Sequence, residues 1–181
     1  MRRLRIRVER FPVLPERLAL TTWCSGIGSA VAERRTSLRG EAGACVESAA
    51  LWVSIDPAAQ RPAPLSDAFK AVYGAAADGR RARTGLRHPA APPPGAGVRA
   101  TFTFRAGDLD LARHVNNAAY WTVLEDELID RTAAEPLDVE VEHRSAAGPG
   151  RVEVVADDAG GRWIVADGTV VATFVGVPAP A

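Results

Sequence analysis

Asp110 stands four residues before His114, and His114 two before a pair of asparagines, Asn116 and Asn117, in the run DLDLARHVNNAAYW at 108–121. A carboxylate and an imidazole can take up and hand on protons near neutral pH. Asparagine is a favoured helix N-cap. The apolar residues Ala118, Ala119, Tyr120, Trp121, Val123, Leu124, Leu128 and Ile129 predict a buried helix directly behind the pair. Backbone N–H groups left free at a helix start can polarise a carbonyl and hold an oxyanion. Such a set suits thioester hydrolysis without metal or cofactor. Taken singly, an Asp in a turn, a His near a helix start and an Asn cap are common for structural reasons. Their order and spacing are what single them out.

Other titratable residues carry less. Glu125 is a second candidate carboxylate, but it lies about two turns into the helix, roughly 12 Å from its start at 1.5 Å per residue. It reads as a paired polar residue on that helix. His88 reads as a linker histidine and His143 as a strand residue, neither with a partner pattern. Cys24 and Cys45 lack metal-ligand spacing and are too few for a disulfide scaffold. Net charge is zero, so nothing global calls for nucleic acid or an anionic membrane. No apolar run reaches spanning length, and the arginine-rich start lacks a signal peptide's apolar segment. A cytoplasmic location is expected.

The elements that must position the motif are mostly strands. Leu4, Ile6 and Val8 alternate with arginines, the period of a half-exposed strand. Leu18 to Trp23 begins a second strand that Gly26 and Gly28 bend or interrupt, and ERRTSL continues it. Gly40 and Gly43 mark a turn before a strand over Val46 to Ile55, and Asp56-Pro57 closes it. Ser66 to Tyr73 predicts a short helix. Residues 75–97, rich in Ala, Pro and Arg, read as a solvated linker; the alternative is that its arginines Arg80, Arg81, Arg83 and Arg87 form a landing strip for an acidic carrier protein. Strands then follow over Val98 to Arg105, Leu137 to Arg144, Arg151 to Ala156, Arg162 to Ala166 and Thr169 to Val177, with Gly160-Gly161 as a hairpin turn. Trp163 and Phe174 read as core.

The pattern D-x-D-x-x-x-H-V-N-N-x-x-Y resembles the signature of the acyl-acyl-carrier-protein (acyl-ACP) thioesterases, a double-hotdog family. Three further stretches are similar to that family's first half: TTWCSGIGSAVAERRTSL at 21–38, VESAALWVSID at 46–56 and RPAPLSDAF at 61–69. The resemblance implies an α+β tandem hotdog, each antiparallel sheet wrapped around a central helix. It places an incomplete first hotdog at 1–74, the linker at 75–97 and a second hotdog carrying the motif at 98–178. The family's first strand and long central helix would precede Met1, so the first hotdog is expected to lack its helix. A misplaced start codon, a true truncation rescued by a partner subunit and a decaying gene are the competing explanations.

The resemblance also implies the activity: release of fatty acid from ACP or coenzyme A thioesters in fatty acid biosynthesis, with no metal and no cofactor. Asp110 would be base or nucleophile, with His114 steadying it, relaying a proton or bonding the thioester. Backbone N–H groups at Asn116 and Asn117 would bind the carbonyl. Plant members use D-x-N-x-H and a late Glu in an E-Y-R-x-E strand. Here the Asn position is Ala112, the strand is Glu142-His143-Arg144, and the late Glu position is Ala146. These departures sustain the alternative of a catalytically silent acyl-binding hotdog or subunit partner. Apolar strands without their helix predict a homo-oligomer.

Overall fold

The computed structural model describes residues 1–56, 58–59, 61–128 and 136–178. Pro57 and Ile129, assigned above to a strand stop and a helix face, lie outside the described residues. The chain divides into two compact units: the first holds Met1–Leu86, the second the described residues from Arg87 to Leu128 and from Leu137 onward.

The first unit is a four-stranded antiparallel sheet of β1 (Arg3–Arg10), β2 (Leu18–Ile27), β3 (Val31–Gly40) and β4 (Cys45–Val53), in the order β2-β3-β4-β1. Two short strands, β5 (Ile55–Asp56) and β6 (Arg61–Pro62), pair beyond it. The stretch that reads in sequence as one glycine-interrupted strand is a hairpin. Its turn closes where the Gly28 N–H donates to the Val31 carbonyl at 2.7 Å. A Cβ at Gly28 would stand 2.8 Å from the Ala82 carbonyl oxygen, so glycine is needed for the connector to lie this close. At the next turn the Glu16 carboxylate accepts the Ala42 and Ala44 N–H groups at 2.7 and 3.1 Å.

Helix α1 (Asp67–Ala77) starts where the Ser66 hydroxyl accepts the Phe69 N–H at 3.1 Å, and it ends in left-handed Asp78. It runs four residues past the expected end at Tyr73. Ala77 buries with Cys24, Ala32 and Leu65, and this packing carries the helix into a stretch without apolar period. Among the described residues it is the first unit's only helix, and it packs at the Cys24–Ala32 end of the sheet. Farther along β2, Leu20 is 63% exposed.

The second unit contains β7 (Gly97–Phe104), α2 (Ala119–Leu128), β8 (Leu137–His143), β9 (Gly150–Ala156), β10 (Arg162–Ala166) and β11 (Thr169–Val175). Its sheet runs β8-β11-β10-β9-β7, all antiparallel. Tyr120, Val123 and Leu124, spaced i, i+3, i+4, bury α2 against it. The Tyr120 ring touches Phe104 and His143, and Trp121 meets Phe174 edge-on. Burial pushes the Tyr120 hydroxyl up to about 12, so it stays neutral and serves packing. Near the far end of α2, Arg162 reaches both Glu127 oxygens, with Nε at 3.1 and 2.9 Å. Glu127, not the expected Glu125, is the helix's paired carboxylate. Glu125 is exposed and makes no ion pair with a described residue.

The sheet's other face is also covered. Glu142, Thr173 and Trp163 stand on the face opposite Val141, Phe174 and Ile164, because successive strand residues alternate. Residues 87–89, read above as solvated linker, cross this face as a strap. Glu142 accepts the Arg87 and His88 N–H groups, Arg144 donates to the His88 and Pro89 carbonyls, and Trp163 Nε1 donates to Pro89. Trp163 and Phe174 are 2% and 0% exposed, which confirms both as core.

Candidate active site

The motif loop leaves β7 at buried Phe104 through one 3-10 turn, Ala106–Asp108. The Asp108 carboxylate accepts the Arg105 N–H at 2.6 Å and caps that turn. Asp110 and His114 then close a tight loop through the main chain: Asp110 N–H donates to the His114 carbonyl at 2.8 Å and Arg113 N–H to the Asp110 carbonyl at 2.9 Å. Arg113 takes the left-handed conformation, φ +60°, that closure requires. Beyond it, Val115 is buried, bridges Leu109 and donates to the Ala147 carbonyl at 2.9 Å.

Asp110's two oxygens differ. Oδ1 accepts the N–H groups of Ala112 at 2.9 Å and His114 at 3.1 Å. Oδ2 has no hydrogen-bond partner among the described residues, and the residue is exposed. One oxygen thus orients the carboxylate and the other is open to a substrate or water. The His114 ring is exposed and forms no hydrogen bond with a described residue. His114 therefore meets Asp110 through its main chain and not through its ring.

At the helix start, Asn116 is the cap. Its Oδ1 accepts the Ala118 N–H at 3.0 Å and its carbonyl the Ala119 N–H at 2.9 Å. Those donors are thereby spent. The Asn116 N–H goes to the Asp108 carbonyl at 2.8 Å, which leaves the N–H of half-buried Asn117 without a described acceptor. The Ala112 side chain has no polar atom, and its N–H is spent on Asp110 Oδ1. Ala146 is exposed and sits one residue before Ala147, whose carbonyl holds Val115, so the position of the family's late Glu borders the motif loop.

Sequence reasoning missed a second cluster. His88, Glu140 and Glu142 meet on the strapped face, 52 and 54 residues apart along the chain. The alternation of Glu140 and Glu142 along one strand was the only signal for it.

A sheet packed across one helix, as in the second unit, defines the hotdog class, and known structures match the whole chain. An acyl-ACP thioesterase from Bacteroides thetaiotaomicron aligns with TM-score 0.71 at 18% identity, over 96% of this chain and 73% of that one. The 12:0-ACP thioesterase of Umbellularia californica also gives 0.71, at 17% identity, over 96% and 72%. A MaoC-like dehydratase from Phytophthora capsici shares the fold more distantly, with TM-score 0.52, 13% identity and coverage of 100% and 72%. The fold alone therefore does not select hydrolysis. Residues 1–73 match the acyl-ACP thioesterase N-terminal domain and residues 93–162 the acyl-ACP thioesterase C-terminal domain. The chain belongs to the acyl-ACP thioesterase family. An uncharacterised Mycobacterium tuberculosis protein is 27% identical over 133 residues, 73% of this chain and 52% of that protein. The chain spans about half the length of the curated relatives it matches.

Proposed function

We propose that this chain hydrolyses fatty acyl thioesters, carried on acyl carrier protein or coenzyme A, with Asp110 as general base or nucleophile. The observation that carries this reading is the Asp110 carboxylate, held by Oδ1 and open at Oδ2 just ahead of a capped helix start. Oδ2 would take a proton from water attacking the thioester carbonyl, or attack it directly. The Asn117 N–H is the donor left to meet the developing oxyanion, since Asn116 consumes those of Ala118 and Ala119. His114 would act on the substrate or leaving thiol rather than on Asp110, because its ring makes no bond to that carboxylate.

Ala112 and Ala146 favour a second reading, an acyl-binding hotdog without turnover. Free-thiol release from medium- and long-chain acyl thioesters, on coenzyme A and on a carrier protein, separates the two. Turnover supports the hydrolase. Saturable binding without thiol release supports the silent protein.

A further inference from the structure

The polar cluster on the strapped face has the makings of a metal centre. Glu140 and Glu142 lie two residues apart on β8 and so face the same way. His88 joins them from the strap, and one ligand atom from each residue lies within 4.8 Å of the others. All three are withdrawn from water: the side chains of His88, Glu140 and Glu142 are 3%, 14% and 0% exposed. His88 Nδ1 stands 3.2 Å from the Thr173 carbonyl oxygen, which can only accept, and 3.0 Å from the Thr173 hydroxyl, which can accept or donate. In the tautomer with the proton on Nδ1, the Nε2 lone pair points at Glu140 Oε1, 3.1 Å away. Two lone pairs at that separation repel unless a cation, either a proton or a metal ion, lies between them.

We propose that His88, Glu140 and Glu142 bind one divalent transition-metal ion, zinc being the best match, as a structural site that pins the 87–89 strap to β8 and β11. One imidazole nitrogen with two carboxylates is a zinc-type donor set, whereas magnesium and calcium take oxygen ligands. With tetrahedral zinc bonds of about 2.0–2.2 Å, neighbouring ligand atoms stand about 3.3–3.6 Å apart. The Nε2–Oε1 separation of 3.1 Å is slightly shorter, and the three ligand atoms lie within 4.8 Å of one another, so small side-chain shifts would seat the ion. The ligands are also oriented from outside the set, as metal ligands are. Thr173 holds the His88 ring, while the Arg87 and His88 N–H groups donate to the two Glu142 oxygens at 2.7 and 3.1 Å. The Arg144 guanidinium stands 3.8 Å from Glu142 and bonds the His88 and Pro89 carbonyls, so it fastens the strap beside the ligands.

The test uses the full 181-residue chain, stripped with a chelator and titrated with zinc chloride by calorimetry, with bound metal counted by elemental analysis. The expected result is one zinc per chain at micromolar affinity or better, with a thermal midpoint that rises with zinc concentration. Glu140→Gln, isosteric at the least buried ligand, should weaken binding by at least about tenfold while the fold, followed by circular dichroism, is kept. His88→Ala should do the same, and His114→Ala should bind like the parent. Failure to bind zinc at micromolar concentration would mean that a proton alone occupies the site, and the proposal falls. Unchanged affinity in both Glu140→Gln and His88→Ala places any bound zinc elsewhere and overturns it equally.

Discussion

Replacing Asp110 by asparagine and by alanine separates the work of its two oxygens. Asparagine keeps a carbonyl oxygen able to accept the Ala112 and His114 N–H groups, now 2.9 and 3.1 Å from Oδ1. It replaces Oδ2 with an amide that neither takes a proton nor attacks a carbonyl. Asp110→Asn should therefore cost about a hundredfold or more in kcat, equal to about 2.7 kcal/mol of barrier, with KM and thermal midpoint nearly unchanged. Alanine removes both acceptors. Each such hydrogen bond is worth about 0.5–1.5 kcal/mol net, and the loop's exposure lets water replace much of it, so about 1 kcal/mol is expected for the pair. For a chain of this size that lowers the midpoint by roughly 2–4 °C, on top of the same catalytic loss. Thiol release read with a thiol-reactive chromophore gives kcat and KM, and thermal melts give the rest. Near-parental turnover in Asp110→Asn would remove this carboxylate from the chemistry. Equal destabilisation by both substitutions would refute the division of labour between the oxygens.

Three further outcomes are expected. Glu127→Ala strands the Arg162 guanidinium, which is 2% exposed, and should destabilise the chain by about 3 kcal/mol in chemical denaturation. That is the lower end for a broken buried pair, because the Gly161 and Asp157 carbonyls still accept from Arg162. The Glu16 carboxyl lies below its ordinary value of 4.5, chiefly because the Val13 and then the Ala44 N–H groups bond its charged form. A depressed carboxylate stabilises the fold above its unfolded value and loses that contribution as pH falls through the folded one. Glu16→Gln should thus flatten the fall of the thermal midpoint below pH 4.5, and parallel pH profiles would dismiss the effect. The first unit's sheet leaves Leu20 63% and Trp52 42% exposed, with β2 at its end. We expect the chain to self-associate at micromolar concentration in sedimentation velocity, and a stable monomer would contradict this.

What could be read without coordinates was what a few neighbouring residues decide among themselves. The period-2 runs at 98–105 and 162–166 became β7 and β10 because alternation is set by each residue's own geometry. Asn116 became a cap because its acceptor reaches only two residues along the chain. The motif's resemblance carried the hotdog plan of the second unit. Residues whose role depends on distant partners were misread. Ala75–Ala77 have no apolar period, yet they are helical because Ala77 packs on Cys24 and Ala32. His88 looked like a linker histidine because its partners Glu140, Glu142 and Thr173 lie 52, 54 and 85 positions away. Asp110 and His114 were legible as a pair, but tertiary structure decided that His114 meets Asp110 through its backbone and not its ring, that one carboxylate oxygen is spent on the loop, and that Asn117 keeps the open N–H. Hydrogen bonds are directional and saturable, so which atoms remain free for chemistry follows only once every neighbouring donor has found its acceptor in three dimensions.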